Sequence, residues 1–218
     1  MTDGADPVVD SIVRTAYAHV RTRLERPVAT MAAAMTRAGP QHALGNLIAD
    51  AARLAGASDF AAWNSDGMRA DLRAGATTYG DVHEVTPFGN VLVRVRLTGR
   101  QLAQVLERWV ERPLASVHVS GLRVDVDTTR PAGQRIVRLA TGRAGGSDRV
   151  LSPTHVYTLT VNDFMLDDEG KTMNRALSRQ FLPVRDIDML ADYLRRLPQP
   201  VRGSAAQRVR IVSPVPQH

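Results

Sequence analysis

Asn64, Ser65, Asp66, Gly67 and Arg69 place an amide, a hydroxyl, a carboxylate, a glycine and a guanidinium within one short stretch, WNSDGMRADLRAG. They follow the apolar run Phe60–Trp63 and so leave the end of a strand, where binding groups gather. Asn64 can donate and accept at the edge of a base or sugar. Gly67 lets a ligand approach the backbone closely. Arg69 offers a planar fork for phosphate or carboxylate. The same residues also spell an Asx-type turn in which Asn64 and Asp66 bond their own backbone, and the stretch alone does not choose. In TPFGN (Thr86–Asn90) Phe88 stands between proline and glycine, where a ring can stack on a base or cap the core.

Other candidates carry less. Gly45 and Asn46 lie in the first turn of a helix, whose outward N–H groups ask for nothing beyond capping. Asp50 in that helix reads as solvent-facing or as a local ion-pair partner. Asp163, Asp167, Asp168 and Glu169, in VNDFMLDDEGKTM, could hold a cation or ribose hydroxyls, or form a solvated charged turn. Asp81-Val82-His83 has the Asp-x-His spacing of several metal-dependent phosphoester sites. A two-metal site needs more ligands from separate loops. His19, His42, His118, His155 and His218 supply no His-x-His or Asn-His pair. No metal site is expected, and His83 reads as a surface or helix residue.

At 218 residues the chain is long enough to bury a sizeable core within one domain, expected over 1–218. It has no cysteine, which excludes disulfides, zinc-thiolate sites and thiol nucleophiles. The net charge is +6, yet the arginines are scattered and Lys171 is the one lysine among 28 basic residues. That bias fits a GC-rich genome better than a nucleic-acid surface, so no nucleic-acid partner is expected. No apolar run reaches membrane-spanning length. No basic-then-apolar leader with a cleavage site opens the chain, so neither a signal peptide nor a membrane partner is expected.

The elements that must position these residues follow from periodicity and punctuation. Asp6-Pro7 caps a helix that Pro27 stops. Val28–Met35 reads as a strand or buried segment, and Ala43–Ala55 as a helix closed by Gly56. Phe60–Trp63 and Val91–Leu97 read as strands, and Thr98 caps a helix with Leu102, Val105, Leu106, Trp109 and Val110 on its apolar face. Val117–Asp127, Arg135–Thr141 and His155–Phe164 read as strands, with a turn near Pro131-Ala132-Gly133 and a loop over Arg143–Asp148. Ile187–Leu197 closes as a helix and Gln207–Val212 as a strand. The irregular alternation argues for an α+β fold with a mixed β-sheet and packed helices.

LGNLIADA, NSDGMRADLRAG, TTYGDVHEVTPFGNVLVRVRLTG and YTLTVNDF occur in that order, and together they resemble the C-terminal domain of the 5′-nucleotidase family. The likeness runs from about Pro7 to about Val212. It implies a 5′-nucleotidase C-terminal-domain-like fold that binds the nucleoside of a nucleotide. Hydrolysis would belong to a separate N-terminal metallophosphoesterase domain carrying a divalent metal pair, and no cofactor to this chain. It further implies a periplasmic or extracellular setting.

Residue by residue, the resemblance sets Asn64–Arg69 on the family's Asn-Gly-Gly-Gly-Ile-Arg loop, with Asn64 toward the base, Gly67 in the turn and Arg69 toward phosphate or ribose. Ser65 and Asp66 replace two glycines. Phe88 becomes one wall of a base clamp. Lys171 or Thr172 stands where the second aromatic wall belongs, and the acidic residue six positions on is replaced by Leu177 or Ser178. An arginine expected before the LGN helix is displaced to Arg37. Half of a nucleoside site is kept and half eroded. A non-catalytic binding or structural module with a degenerate pocket is therefore the alternative reading.

Overall fold

The computed structural model describes residues 6–110, 117–141, 148–168, 173 and 176–212. Asp6 accepts from the Val8 N–H and Pro7 fills the first helical position, starting helix α1 (Pro7–Leu24). Strand β1 (Pro27–Met31) follows. Helix α2 (Ala43–Ala55) matches the expected span and buries Leu44, Leu47 and Ile48. Strand β2 (Phe60–Asn64) is buried throughout and ends in a 3₁₀ turn over Ser65–Gly67.

Two short elements come next, strand β3 (Gly75–Thr78) and helix α3 (Tyr79–Val85). Strand β4 (Val91–Thr98) leads into helix α4 (Gly99–Val110). Strands β5 (Val117–Ser120), β6 (Leu122–Val126), β7 (Ile136–Thr141) and β8 (Val156–Asn162) precede the short helix α5 (Phe164–Asp168). Strand β9 (Ser178–Arg185), helix α6 (Asp186–Arg196) and strand β10 (Val209–Ile211) complete the order.

A central sheet runs β5-β2-β8-β4-β9, beside a three-stranded sheet β10-β6-β7 and a pair β1-β3. β2 and β8 are parallel, while β2–β5, β4–β8 and β4–β9 are antiparallel, so the central sheet is mixed and the fold is α+β. Alternation along β2 builds two cores. Ala61 and Trp63 pack with α2, α3 and α6, whereas Phe60 and Ala62 pack with α4 and the three-stranded sheet. The alternate outward positions of β4, Arg94 and Arg96, fall on the helix α2 side and keep one end of that face polar.

Three differences from the sequence reading have physical causes. Val117–Asp127 is two strands, because Gly121 sits at φ +72 and breaks the run between two sheets. β3 and α3 were not anticipated: GATT and YGDVHEV are too short for a period to emerge. β9 was also missed. It is an edge strand with a mostly exposed pattern and Pro183 within it, so it lacks the alternation that burial imposes.

Candidate functional site

The ends of β2 and β8 and the start of β4 converge at one end of the central sheet's inner strands. Leu92 pairs with Asn162, the Asp163 N–H donates to Val91 O at 2.9 Å, and the Asp163 carboxylate accepts the Val91 N–H at 3.2 Å and the Phe164 N–H at 3.0 Å. Asp163 is thus spent on holding the strand ends together.

Asn64 is 1% exposed, and its Oδ1 accepts from Asn162 Nδ2 at 2.9 Å. Asn162 Oδ1 in turn accepts the Met165 N–H at 2.9 Å. The side chain that the resemblance turns toward a base is therefore engaged with a second asparagine inside the fold. Gly67 is buried under the turn. A Cβ there would stand 3.1 Å from Trp63 Nε1 and 3.2 Å from Asn64 Oδ1, so its smallness lets the turn lie on the end of β2.

Arg69 and Phe88 meet. The Arg69 N–H donates to Val85 O at 2.9 Å, binding the loop after β2 to the end of α3, and its guanidinium carbon lies 5.2 Å from the Phe88 ring centroid. That is cation–π range. Phe88 is 51% exposed, so the ring is a surface platform rather than a core plug. It stands on a turn with Gly89 at φ +66. Asn90 O accepts the Asp186 N–H at 2.9 Å, which anchors that turn to the start of α6. Asp186 is fully buried, and among the described residues one of its carboxylate oxygens has no hydrogen-bond partner. Burial pushes its carboxyl up to about 6, against the Ile187 and Asn90 groups that favour its charge.

Arg37 braces the same loop from the other side. Its Nε and its backbone N–H each lie 3.0 Å from Asp71 Oδ1, and Nη1 reaches Met68 O at 3.3 Å. The Arg37 bond holds the Asp71 carboxyl below the usual carboxylate range. Beneath these loops His42 caps α2, its Nδ1 accepting the Gly45 N–H at 3.0 Å, and its ring packs edge-on against His118 at 4.2 Å. His118 is fully buried, among the described residues both its ring nitrogens lack a hydrogen-bond partner, and burial lowers its pKa to about 3.

Lys171, Thr172 and Glu169 lie outside the described residues, and of Asp167 and Asp168 only the backbone, within α5, is described. Asn90, Asn162 and Asp186 were missed in the sequence. Asn162 ends the same alternating run as the flagged Asp163, and an amide at a buried strand end was the available signal. Asp186 carried none, since an acid opening a helix reads as routine capping. The Asp81 carboxylate is taken by a capping box with Thr78, and His83 is exposed on α3. Among the described residues no three His, Asp or Glu side chains gather to hold an ion, so those present do not fit a metal pair.

A sequence profile described as 5′-nucleotidase, C-terminal domain, matches residues 20–176. The chain belongs to this family. Endonuclease YhcR of Bacillus subtilis is 29% identical over 173 residues, covering 77% of this chain and 14% of its own length. A probable 5′-nucleotidase of Treponema pallidum is 27% identical over 153 residues, 65% of this chain and 26% of its own. The crystal structure of a 5′-nucleotidase precursor from Thermus thermophilus superposes with a TM-score of 0.81 at 27% identity, over 94% of this chain and 43% of that one. NAD nucleotidase of Haemophilus influenzae shares the fold, with a TM-score of 0.77 at 17% identity. The chain thus spans less than half the length of these relatives. No helix among the described residues is long and apolar enough to cross a membrane.

Proposed function

We propose that this domain binds the nucleoside part of a nucleotide on the Phe88–Arg69 shelf and positions its phosphate for a two-metal phosphoesterase domain, linked to it or separate. The observation that carries this is the half-exposed Phe88 ring with Arg69 drawn over it by two loops tied together at Val85. A base stacks on the ring, and the guanidinium is placed to meet a phosphate or ribose oxygen. Asn64 contributes through Asn162, by fixing the strand end under the loop, and Gly67 by letting that loop lie flat. Arg37 stiffens the loop, and Lys171 offers a point charge in place of a second ring. On this reading the metals belong to the partner domain, and the chain itself needs no cofactor. The precursor among the matched structures supports a periplasmic or extracellular setting.

The test is calorimetric titration of adenosine and AMP against the wild type, Phe88→Ala and Arg69→Gln. Adenosine is expected to bind weakly, since one stacking wall contributes about 1–3 kcal/mol. Phe88→Ala loses adenosine, while Arg69→Gln weakens AMP more than adenosine. Adenosine binding untouched by Phe88→Ala would place the ligand elsewhere. No binding by wild type at any concentration tried would favour the degenerate-pocket alternative.

A further inference from the structure

A groove of about 1010 Å³ opens at the other end of β2, where Phe60 starts the strand that Asn64 finishes. Strand rise puts the two ends about 13 Å apart. Its floor is a polar network. Ser120 Oγ donates to Asp50 Oδ1 and accepts the Arg53 Nε–H at 2.9 Å. Asp50 holds Arg208 by two bonds of 2.7 Å, and Arg208 Nη1 also reaches Val119 O at 2.9 Å. Arg123 pairs with Asp148 at 3.1 Å, and the Asp59 carboxylate accepts the Thr158 N–H and hydroxyl at 2.8 Å each.

Arg53 differs from these groups. Among the described residues no carboxylate pairs with it, and only its Nε meets a hydrogen-bond partner. Its stem lies across Gly121, where a Cβ would stand 3.0 Å from Arg53 Cδ. One bond to Ser120 and one packed glycine therefore hold the stem and, among the described residues, leave both Nη groups without a hydrogen-bond partner. Tyr193 of α6 lines the same groove. Burial pushes its hydroxyl up, with Asp50, Arg208 and Arg53 acting on it, so it stays a neutral donor.

We propose that this groove is a second ligand site, for a small molecule carrying a phosphate or carboxylate group that the two Arg53 Nη groups take side by side, with the Tyr193 hydroxyl as a further donor. A guanidinium matches two oxygens of such a group in one plane. With Asp50 and Arg208 cancelling, and Arg123 and Asp148 likewise, Arg53 and Asp59 remain with opposite charges, so the groove is neutral overall and its attraction for an anion is local to the Arg53 fork, Asp59 being held by Thr158. The inference is independent of the Phe88 shelf, because the two sites share no residue.

Calorimetric titrations of the chain with inorganic phosphate, AMP and acetate test it, using the wild type, Arg53→Gln, Arg53→Lys and Phe88→Ala, with circular dichroism to confirm each fold. Phosphate or acetate is expected to bind the wild type and Phe88→Ala alike. Binding should weaken on the order of tenfold or more in Arg53→Gln and to an intermediate degree in Arg53→Lys, which keeps the charge and loses the fork. Acetate alone binding marks a carboxylate ligand. Phosphate binding, joined by AMP binding that survives Phe88→Ala, marks a phosphate ester. If neither small anion binds the wild type, or if a folded Arg53→Gln binds as tightly as the wild type, the site is refuted. Should Arg53→Gln not fold, undiminished affinity in Arg53→Lys refutes the forked contact.

Discussion

Asn64 reaches the site through another side chain. Its Oδ1 is spent on Asn162, and Asn162 spends its own oxygen on the Met165 N–H, so two buried amides couple the ends of β2 and β8 to α5. A buried donor left without its acceptor costs about 1–3 kcal/mol. Asn64→Ala should therefore destabilise the fold by that amount in urea unfolding at neutral pH. Because both residues serve one network, Asn64→Ala and Asn162→Ala should be sub-additive in a double-mutant cycle. Additive losses would show that the amides act separately. Arg69 and Phe88 behave differently. Both are exposed, but the sequence left Phe88 open between stacking on a base and capping the core, and only its place in the fold decides for the surface. Asn64 could not be read either, because an asparagine at a strand end looks the same whether it faces solvent or a second amide.

Elements show where a correct boundary hid a different cause. The sequence puts the end of α2 at Gly56, in the manner of a left-handed glycine cap, and the helix does end there. Yet Gly56 is right-handed at φ −80, and the left-handed position falls to Ala57 at φ 45. What Gly56 supplies is space: a Cβ on it would run into Thr160 of β8. The two neighbours should thus respond in opposite ways. Ala57→Gly relieves the left-handed alanine and should stabilise by about 0.5–1 kcal/mol. Gly56→Ala forces helix and strand apart and should destabilise by about 1–3 kcal/mol. Thermal or urea unfolding of both decides it, and equal effects would refute the assignment. Gly45 obeys the same logic, since a Cβ there would meet the His118 ring. Such close approaches between elements distant in sequence are invisible to periodicity, as was β9, whose edge position removed the burial that creates a pattern. The helices with strong apolar faces, α2, α4 and α6, were legible because packing on the sheet imposes their period.

At the scale of the whole molecule, two buried titrating groups act on stability with opposite signs. His118 is lowered from 6.5 to about 3 by burial, so its folded form stays neutral while the unfolded chain takes up a proton. The stability it contributes is present above pH 6.5 and is lost as pH falls toward 3. Asp186 is raised from 3.8 to about 6 by burial, so it keeps a proton in the fold that the unfolded chain releases. Its contribution is present below 3.8 and is lost as pH rises toward 6. The two windows overlap from 3.8 to 6. Across that overlap each group supplies a slope of at most about 1.4 kcal/mol per pH unit, one rising with pH and one falling. With His42 also lowered by burial and adding to the rising side, the wild type should gain stability with pH from about pH 4 to pH 6 less steeply than a chain without Asp186. The variants should separate the two slopes. In Asp186→Asn the falling slope disappears, so stability should climb steeply with pH across the window. In His118→Leu the rising slope of His118 disappears, so stability should gain less with pH than in the wild type. Urea unfolding at intervals across the window measures all three curves. A wild-type curve that rises as steeply as that of Asp186→Asn would show that Asp186 is ionised in the fold at pH 4. The turn carrying Phe88 would then rest on a buried carboxylate rather than on a neutral acid.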